Sequence, residues 1–173
     1  CVSRSFGQPI EKIEEIKESI ASYGSRVAEK IREEGLIAHY MSIFVLTNYF
    51  NKREKQYSNS IRLQLDYPTN NSLLIVKKAI EGIERIYRKG YRYKKAGIIL
   101  YELHDSLSIR GLFDHDRKKS DSLMKTLDAI NYRYGSSTLK IAAEGINKKW
   151  RMQRKKISPC YTTRFSEIMI VRS

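Results

Sequence analysis

An α+β fold is what this sequence predicts: a four-stranded antiparallel or mixed sheet with two helices on one face, in split βαβ order, followed by a small basic α+β tail. Three observations carry that expectation. Apolar residues step by three and four from Ile10 to Ile31 and again from Leu73 to Tyr87, the period of an amphipathic helix. Ile61, Leu63 and Leu65 alternate with Arg62, Gln64 and Asp66, the period of a half-buried strand. Read in order, the elements run strand, helix, strand, strand, helix, strand, which builds a two-layer domain.

Val2 to Phe6 is the first strand; alone it cannot satisfy its backbone groups, so it must pair with strands supplied later. Because the chain opens on that strand without a methionine, its start reads as a cut at a domain border. Ile10, Ile13, Ile16, Ile20, Tyr23, Val27 and Ile31 mark one helix over about 10–34, closed by Gly35. The β-branched and aromatic "LIAHYMSIFVLTNYF" and "QYSNSIRLQLDYP" are the second and third strands, joined by "NKREK" as a hairpin turn, and Pro68 ends the third. Leu73, Val76, Ile80, Ile83 and Tyr87 give the second helix, which Gly90 stops before the last strand, "YRYKKAGIILYEL". One face of the sheet is left free. This first domain is placed at 1–103. Residues 104–120 lack apolar periodicity and read as a linker. The tail, 121–173, holds a short helix with Leu123, Leu127, Ile130 and Tyr134 on its apolar face and Gly135 at its end. "STLKIAAEG" and "SPCYTTRFSEIMIV" follow as strand or irregular segments around a basic loop.

Lysine and arginine number 33 against 19 acidic residues, a net charge of +14. Such an excess favours a polyanionic partner, nucleic acid ahead of an anionic membrane. No apolar run reaches bilayer-spanning length and no hydrophobic signal segment is present, so no membrane is expected and the cytoplasm is the expected compartment. Two cysteines, Cys1 and Cys160, make no disulfide framework and fit a reducing compartment.

Four groups of residues could carry chemistry. Ser3, Arg4 and Ser5 can offer hydroxyls and a guanidinium to successive phosphates from one strand; the alternative is an ordinary polar edge strand. Ser58, Asn59 and Ser60 supply short donors, and Arg92, Lys94 and Lys95 add long cations, a set that fixes position on a backbone without reading bases. "NKKWRMQRKK" carries Lys148, Lys149, Arg151, Arg154, Lys155 and Lys156 with no acid. The basic patch suits phosphate, while Trp150 reads as core packing ahead of base stacking. The pairs His104–Asp105 and His115–Asp116 could suggest a metal-dependent hydrolase, but no helix aligns further ligands, and no metal site is expected. His39, within a strand, reads as packed or surface-exposed.

The stretches "SRSFG", "QYSNS", "YPTNN", "ERIYRKGYRYKKAGIIL", "LMKTLDAINYRYG", "AAEG", "WRMQRKK" and "SPCYTTRF" resemble, in order, the C-terminal half of UmuC-type translesion DNA polymerases of the Y family. The resemblance covers nearly the whole chain. It implies that the first domain is a little finger, the domain that grips the primer–template duplex, with the "SRSFG" strand against DNA, and that the tail is the UmuC-specific C-terminal segment. It also implies that the palm carboxylates and their Mg2+ ions lie upstream, so neither a catalytic residue nor a cofactor is expected here. In such polymerases a sliding-clamp peptide of the form Gln-Leu-x-Leu-Phe occupies the position of "IRGLFD". Leu112 and Phe113 keep its apolar anchors, but Ile109 and Arg110 replace glutamine and leucine, which weakens the motif; the alternative is an apolar pair folded back on its own domain. A UmuD-type subunit and RecA are further partners by resemblance, within a bacterial cytoplasm and on the nucleoid when DNA is bound. The reading that follows is a DNA-binding region of an error-prone polymerase acting in SOS mutagenesis and DNA repair. The alternatives are a truncated interaction module that occupies clamp or UmuD-type partners, and a small hydrolase built on the His-Asp pairs.

Overall fold

In the computed structural model, which describes residues 1–106, 114–152 and 158–168, seven main elements follow one another. They are β1 (Val2–Ile10), α1 (Ile13–Glu33), β2 (Leu36–Thr47), β3 (Ser58–Thr69), α2 (Ser72–Ile86), β4 (Tyr93–Asp105) and α3 (Asp114–Tyr134). Short 3-10 turns follow at Ala142–Glu144 and Phe165–Glu167. The strands form one sheet in the order β1-β4-β2-β3, with every neighbouring pair antiparallel. This is the predicted α+β class, and the antiparallel form of it.

α1 and α2 lie on one face because their apolar ridges do. Ile16, Ile20 and Val27 of α1 and Ile75 and Ile83 of α2 pack with Phe6, Met41, Ile43 and Ile98 of the sheet, all essentially inaccessible to solvent. Burial of each such side chain contributes roughly 1.5–3 kcal/mol. α2 starts at Asn71, whose side-chain oxygen accepts from the N–H groups of Leu73 (2.7 Å) and Leu74 (3.4 Å), two of the donors a helix start leaves unpaired.

Several boundaries depart from the sequence reading. β1 runs to Ile10, which pairs with Tyr93 and is buried from the strand, so α1 begins at Ile13. β3 continues through Pro68 to Thr69; as an edge strand it can hold a proline whose missing N–H would have faced no partner. α2 ends at Ile86, where the Tyr87 N–H returns to the Ile83 carbonyl, and Gly90 instead serves the following turn with φ of 88°. α3 starts at Asp114, within the span read as linker. Among its residues from Ser120 onward Met124 is buried, while Leu123 and Tyr134 are exposed. Among the described residues the tail beyond α3 carries turns and no strand.

The tail packs on the first domain through polar contacts as well as apolar ones. Arg32 of α1 donates two hydrogen bonds to the Asp128 carboxylate of α3, both 2.7 Å, and two more to the Asn70 carbonyl (2.6 Å) and the Ser72 hydroxyl (2.9 Å). Asn71 bonds Ser120, and the Ser72 N–H donates to the Met124 sulfur. Further on, the Gly7 N–H donates to the Trp150 carbonyl at 3.2 Å. A Cβ on Gly7 would stand 2.8 Å from the Arg151 carbonyl oxygen, so the close approach of these two backbones depends on glycine. Trp150 is buried and meets Tyr23 edge-on, ring centroids 5.7 Å apart. Cys1 and Cys160 form no disulfide with each other.

Candidate nucleic-acid interface

Strand register decides which side chains share the face opposite the helices. Residues paired across antiparallel strands point the same way, and alternate residues point oppositely. Two rows cross all four strands: Ser5, Lys95, Leu46 and Ser58, then Ser3, Gly97, Phe44 and Ser60. Two further rows cross three strands: Ile99, Ser42 and Arg62, then Tyr101, Tyr40 and Gln64. None of these residues is acidic. α1 and α2 cover the other face, where Ala96, Val45 and Ile98 are buried.

Of the residues singled out from sequence, the sheet therefore gathers Ser3, Ser5, Ser58, Ser60 and Lys95 onto one open face, and separates others from it. Arg4 pairs with Ala96 and Asn59 with Val45, so both lie in a row on the helix side. The Asn59 amide donates to the Tyr57 hydroxyl, which donates to the Ile86 carbonyl at the end of α2. Its role is to tie β3 to that helix. Arg92 is held by acids: it donates to Glu54 at 2.5 Å and pairs with Glu11 at 3.6 Å, joining the hairpin after β2 to the start of α1. Lys94 donates to the Phe6 carbonyl at 2.9 Å across the bulge between β1 and β4. Lys95 has no ion-pair partner among the described residues.

Arg62 is the cation that sequence reasoning left out of the site, although its place in the Ile61–Asp66 alternation put it on the polar side of β3. Its guanidinium lies 4.7 Å from the Tyr40 ring centroid and 5.5 Å from that of Tyr101, and donates to Glu102 at 3.1 Å. Stacking on two rings limits the rotamers that such a long side chain would otherwise lose on binding a phosphate. Glu102 sits at the margin of the face with a left-handed φ of 51°. At the hairpin tip Tyr49 and Phe50 are exposed and edge-to-face, 5.9 Å apart.

Gly97, at the centre of the face, is required by close approach: a Cβ there would come within 2.5 Å of the Ser3 Cβ and 2.6 Å of the Phe44 ring. Gly97→Val should cost about 2 kcal/mol through overpacking. Urea denaturation of the variant beside the parent measures it, and equal midpoints would refute this role for Gly97.

The described part of the tail's basic patch lies away from the open face. Lys148 bonds Ser22 and Glu144, and Lys149 and Arg151 are exposed, on the Trp150 side of the molecule. Arg154, Lys155 and Lys156 lie outside the described residues, as do Ile109, Arg110, Leu112 and Phe113 of the clamp-type peptide. Among the described residues no three histidine, cysteine, aspartate or glutamate side chains converge as metal ligands, and no helix is long and apolar enough to cross a membrane. His39 and His104 meet edge-on across β2 and β4, 5.2 Å between centroids, and His115 and Asp116 fall in the first turn of α3.

Comparison with known families decides the kinship. A family model described as the impB/mucB/samB family C-terminal domain matches residues 1–111. The chain belongs to the impB/mucB/samB family. A second model, described as a domain of unknown function (DUF4113), matches residues 121–171. The chain is 37% identical to protein UmuC of Salmonella typhimurium over 173 residues, covering 98% of this chain and 41% of that protein. It is 37% identical to protein ImpB of Salmonella typhimurium, and 34% identical to protein MucB of Escherichia coli over 98% of this chain and 40% of that protein. It thus spans about two fifths of the length of these curated relatives. Within the impB/mucB/samB family it is a UmuC-type C-terminal region, and its open sheet face belongs to the part matched by the family's C-terminal domain.

Proposed function

We propose that this chain is the DNA-binding region, little finger plus C-terminal segment, of a UmuC-type translesion polymerase, and that its open sheet face grips the primer–template duplex. One observation carries the reading: a sheet face, uncovered among the described residues, whose paired rows hold no acid and which brings Ser3, Ser5, Ser58, Ser60, Arg62 and Lys95 together, with Glu102 at its margin, in a chain of net charge +14. Hydroxyls and cations on a flat strand surface suit phosphate oxygens and carry little base information. The grip holds position while polymerisation, with its Mg2+ ions, takes place on palm carboxylates outside this chain. Work in SOS mutagenesis and DNA repair, in the bacterial cytoplasm and on the nucleoid, follows from the same reading. So do a UmuD-type subunit and RecA as partners, and a weak sliding-clamp contact through Leu112 and Phe113.

Fluorescence anisotropy with two unrelated duplexes, across a salt series, tests the reading. The expected result is similar affinity for both and a linear fall of log affinity with log salt, because counterions are released at each phosphate contact. Primer extension by the chain alone should yield no product. Salt-independent binding, strong preference for one sequence, or template-directed extension would each overturn it.

A further inference from the structure

Behind β1, on the helix side of the sheet, α1 and the 136–151 segment of the tail enclose a cleft of about 310 Å³. It lies on the opposite side from the open face, so what it binds is independent of the DNA grip proposed above. Three of its lining residues hold buried polar atoms with no hydrogen-bond partner among the described residues: the Tyr23 hydroxyl, the Ser25 hydroxyl and the Trp150 indole nitrogen. A buried donor left unpaired is costly, and an indole N–H can only donate. Burial pushes the Tyr23 phenol up to about 12, so this hydroxyl keeps its proton. All three groups thus call for an acceptor.

The charged residues of the wall indicate which acceptor. Each acid in it already has a cation: Glu29 has Arg26, Asp128 has Arg32, and Glu144 has Lys148. Arg4, Lys140 and Arg151 also line the cleft and have no such partner among the described residues. Three donors and three uncompensated cations exceed what the two oxygens of a carboxylate can use. They suit the three terminal oxygens of a phosphate monoester, whose charge near neutral pH approaches −2. The volume is at the lower end of small-molecule sites, enough for a nucleotide and little more.

We propose that this cleft binds a terminal nucleotide phosphate, the group that a free nucleoside monophosphate and the 5′ end of a DNA strand both present. Arg4, Lys140 and Arg151 supply the charge. Tyr23, Ser25 and Trp150, whose donor atoms lie just beneath the cleft wall, supply the directed hydrogen bonds as their side chains turn toward the ligand. The site joins the sheet domain to the tail, so an occupied cleft would also hold the two together.

Trp150 is the sole tryptophan, and its fluorescence reports on the site without a label. The full chain is titrated with inorganic phosphate, a nucleoside 5′-monophosphate, acetate, and one single-stranded oligonucleotide bearing either a 5′-phosphate or a 5′-hydroxyl. Saturable changes with the phosphate-bearing probes, and a weaker response to acetate and to the 5′-hydroxyl strand, support the site. Within that result, preference for the monophosphate identifies a free nucleotide, and preference for the phosphorylated strand identifies a DNA end. No saturation with any phosphate-bearing probe, or an equal response to acetate or to the 5′-hydroxyl strand, overturns the proposal. Tyr23→Phe should weaken phosphate binding about tenfold, while thermal stability without ligand holds or rises because the hydroxyl removed has no partner to lose. Unchanged affinity in Tyr23→Phe would also overturn it. Arg4→Gln alters only an exposed side chain, so it tests the charge requirement in a protein that folds, with the same tenfold loss expected.

Discussion

Arg32→Ala should destabilise the protein by about 2–3 kcal/mol and detach α3 from the sheet domain. The Arg32 side chain is only 9% exposed and makes four hydrogen bonds, two of them to Asp128, which is 30% exposed. Removing a partner from a buried ion pair leaves a carboxylate, a carbonyl and a hydroxyl to be solvated, and the partial exposure of Asp128 keeps the loss below the upper range for such pairs. Gln at the same position could replace one bond to Asp128 and should recover part of the loss. Chemical denaturation gives the free energy, and limited proteolysis gives its location. The expected cleavage falls in α3 and the residues after it, with 1–105 left intact. A variant as stable and as resistant as the parent would mean that apolar packing by Met124, and not the ion pair, holds the tail.

That ion pair also shows where sequence reading stops. Helix faces and strand order are legible because they are written locally: Ile16, Ile20, Tyr23 and Val27 recur at the helical period, and Ile61, Leu63 and Leu65 at the strand period. Arg32 and Asp128 stand 96 residues apart, and no periodicity links them. α3 departs from its sequence reading for the same reason. Its apolar ridge of Leu123, Leu127, Ile130 and Tyr134 reads as one apolar face, yet Leu127 and Ile130 are only half-buried and Leu123 and Tyr134 exposed, while Met124 is buried on the side where Ser120 and Asp128 bond the sheet domain. Ile10 fits a helix ridge and a strand end equally well on spacing, and only its pairing with Tyr93 settles which it joins.

The candidate interface is legible to the same degree. Ser3 and Ser5 share strand parity while Arg4 does not, so the sequence already contains the separation that the sheet makes plain. Arg62 is equally available from the alternation around it. The tyrosines that hold its guanidinium come from β2 and β4, and that juxtaposition needs the register of three strands. Arg92 and Lys94 read as free cations because nothing local reveals that Glu11, Glu54 and the Phe6 carbonyl will engage them.

The claim that the open face grips DNA is tested most directly by the salt dependence of binding to a duplex with 5′-hydroxyl ends, which offers the cleft no terminal phosphate, in the double variant Arg62→Glu/Lys95→Glu, measured beside Arg4→Glu. Arg62 and Lys95 lie on the open face, whereas Arg4 carries the same kind of charge on the helix side. Removing one cation–phosphate interaction should lower the slope of log affinity against log salt by about one. The double variant should therefore lose about two from that slope and bind more than about tenfold more weakly at 0.1 M salt, while Arg4→Glu should keep the parent slope. Circular dichroism should show all three proteins folded, since both open-face side chains are accessible at the surface. A parent-like slope in the double variant, or an equal loss in Arg4→Glu, would contradict the account and place the DNA elsewhere on this basic chain.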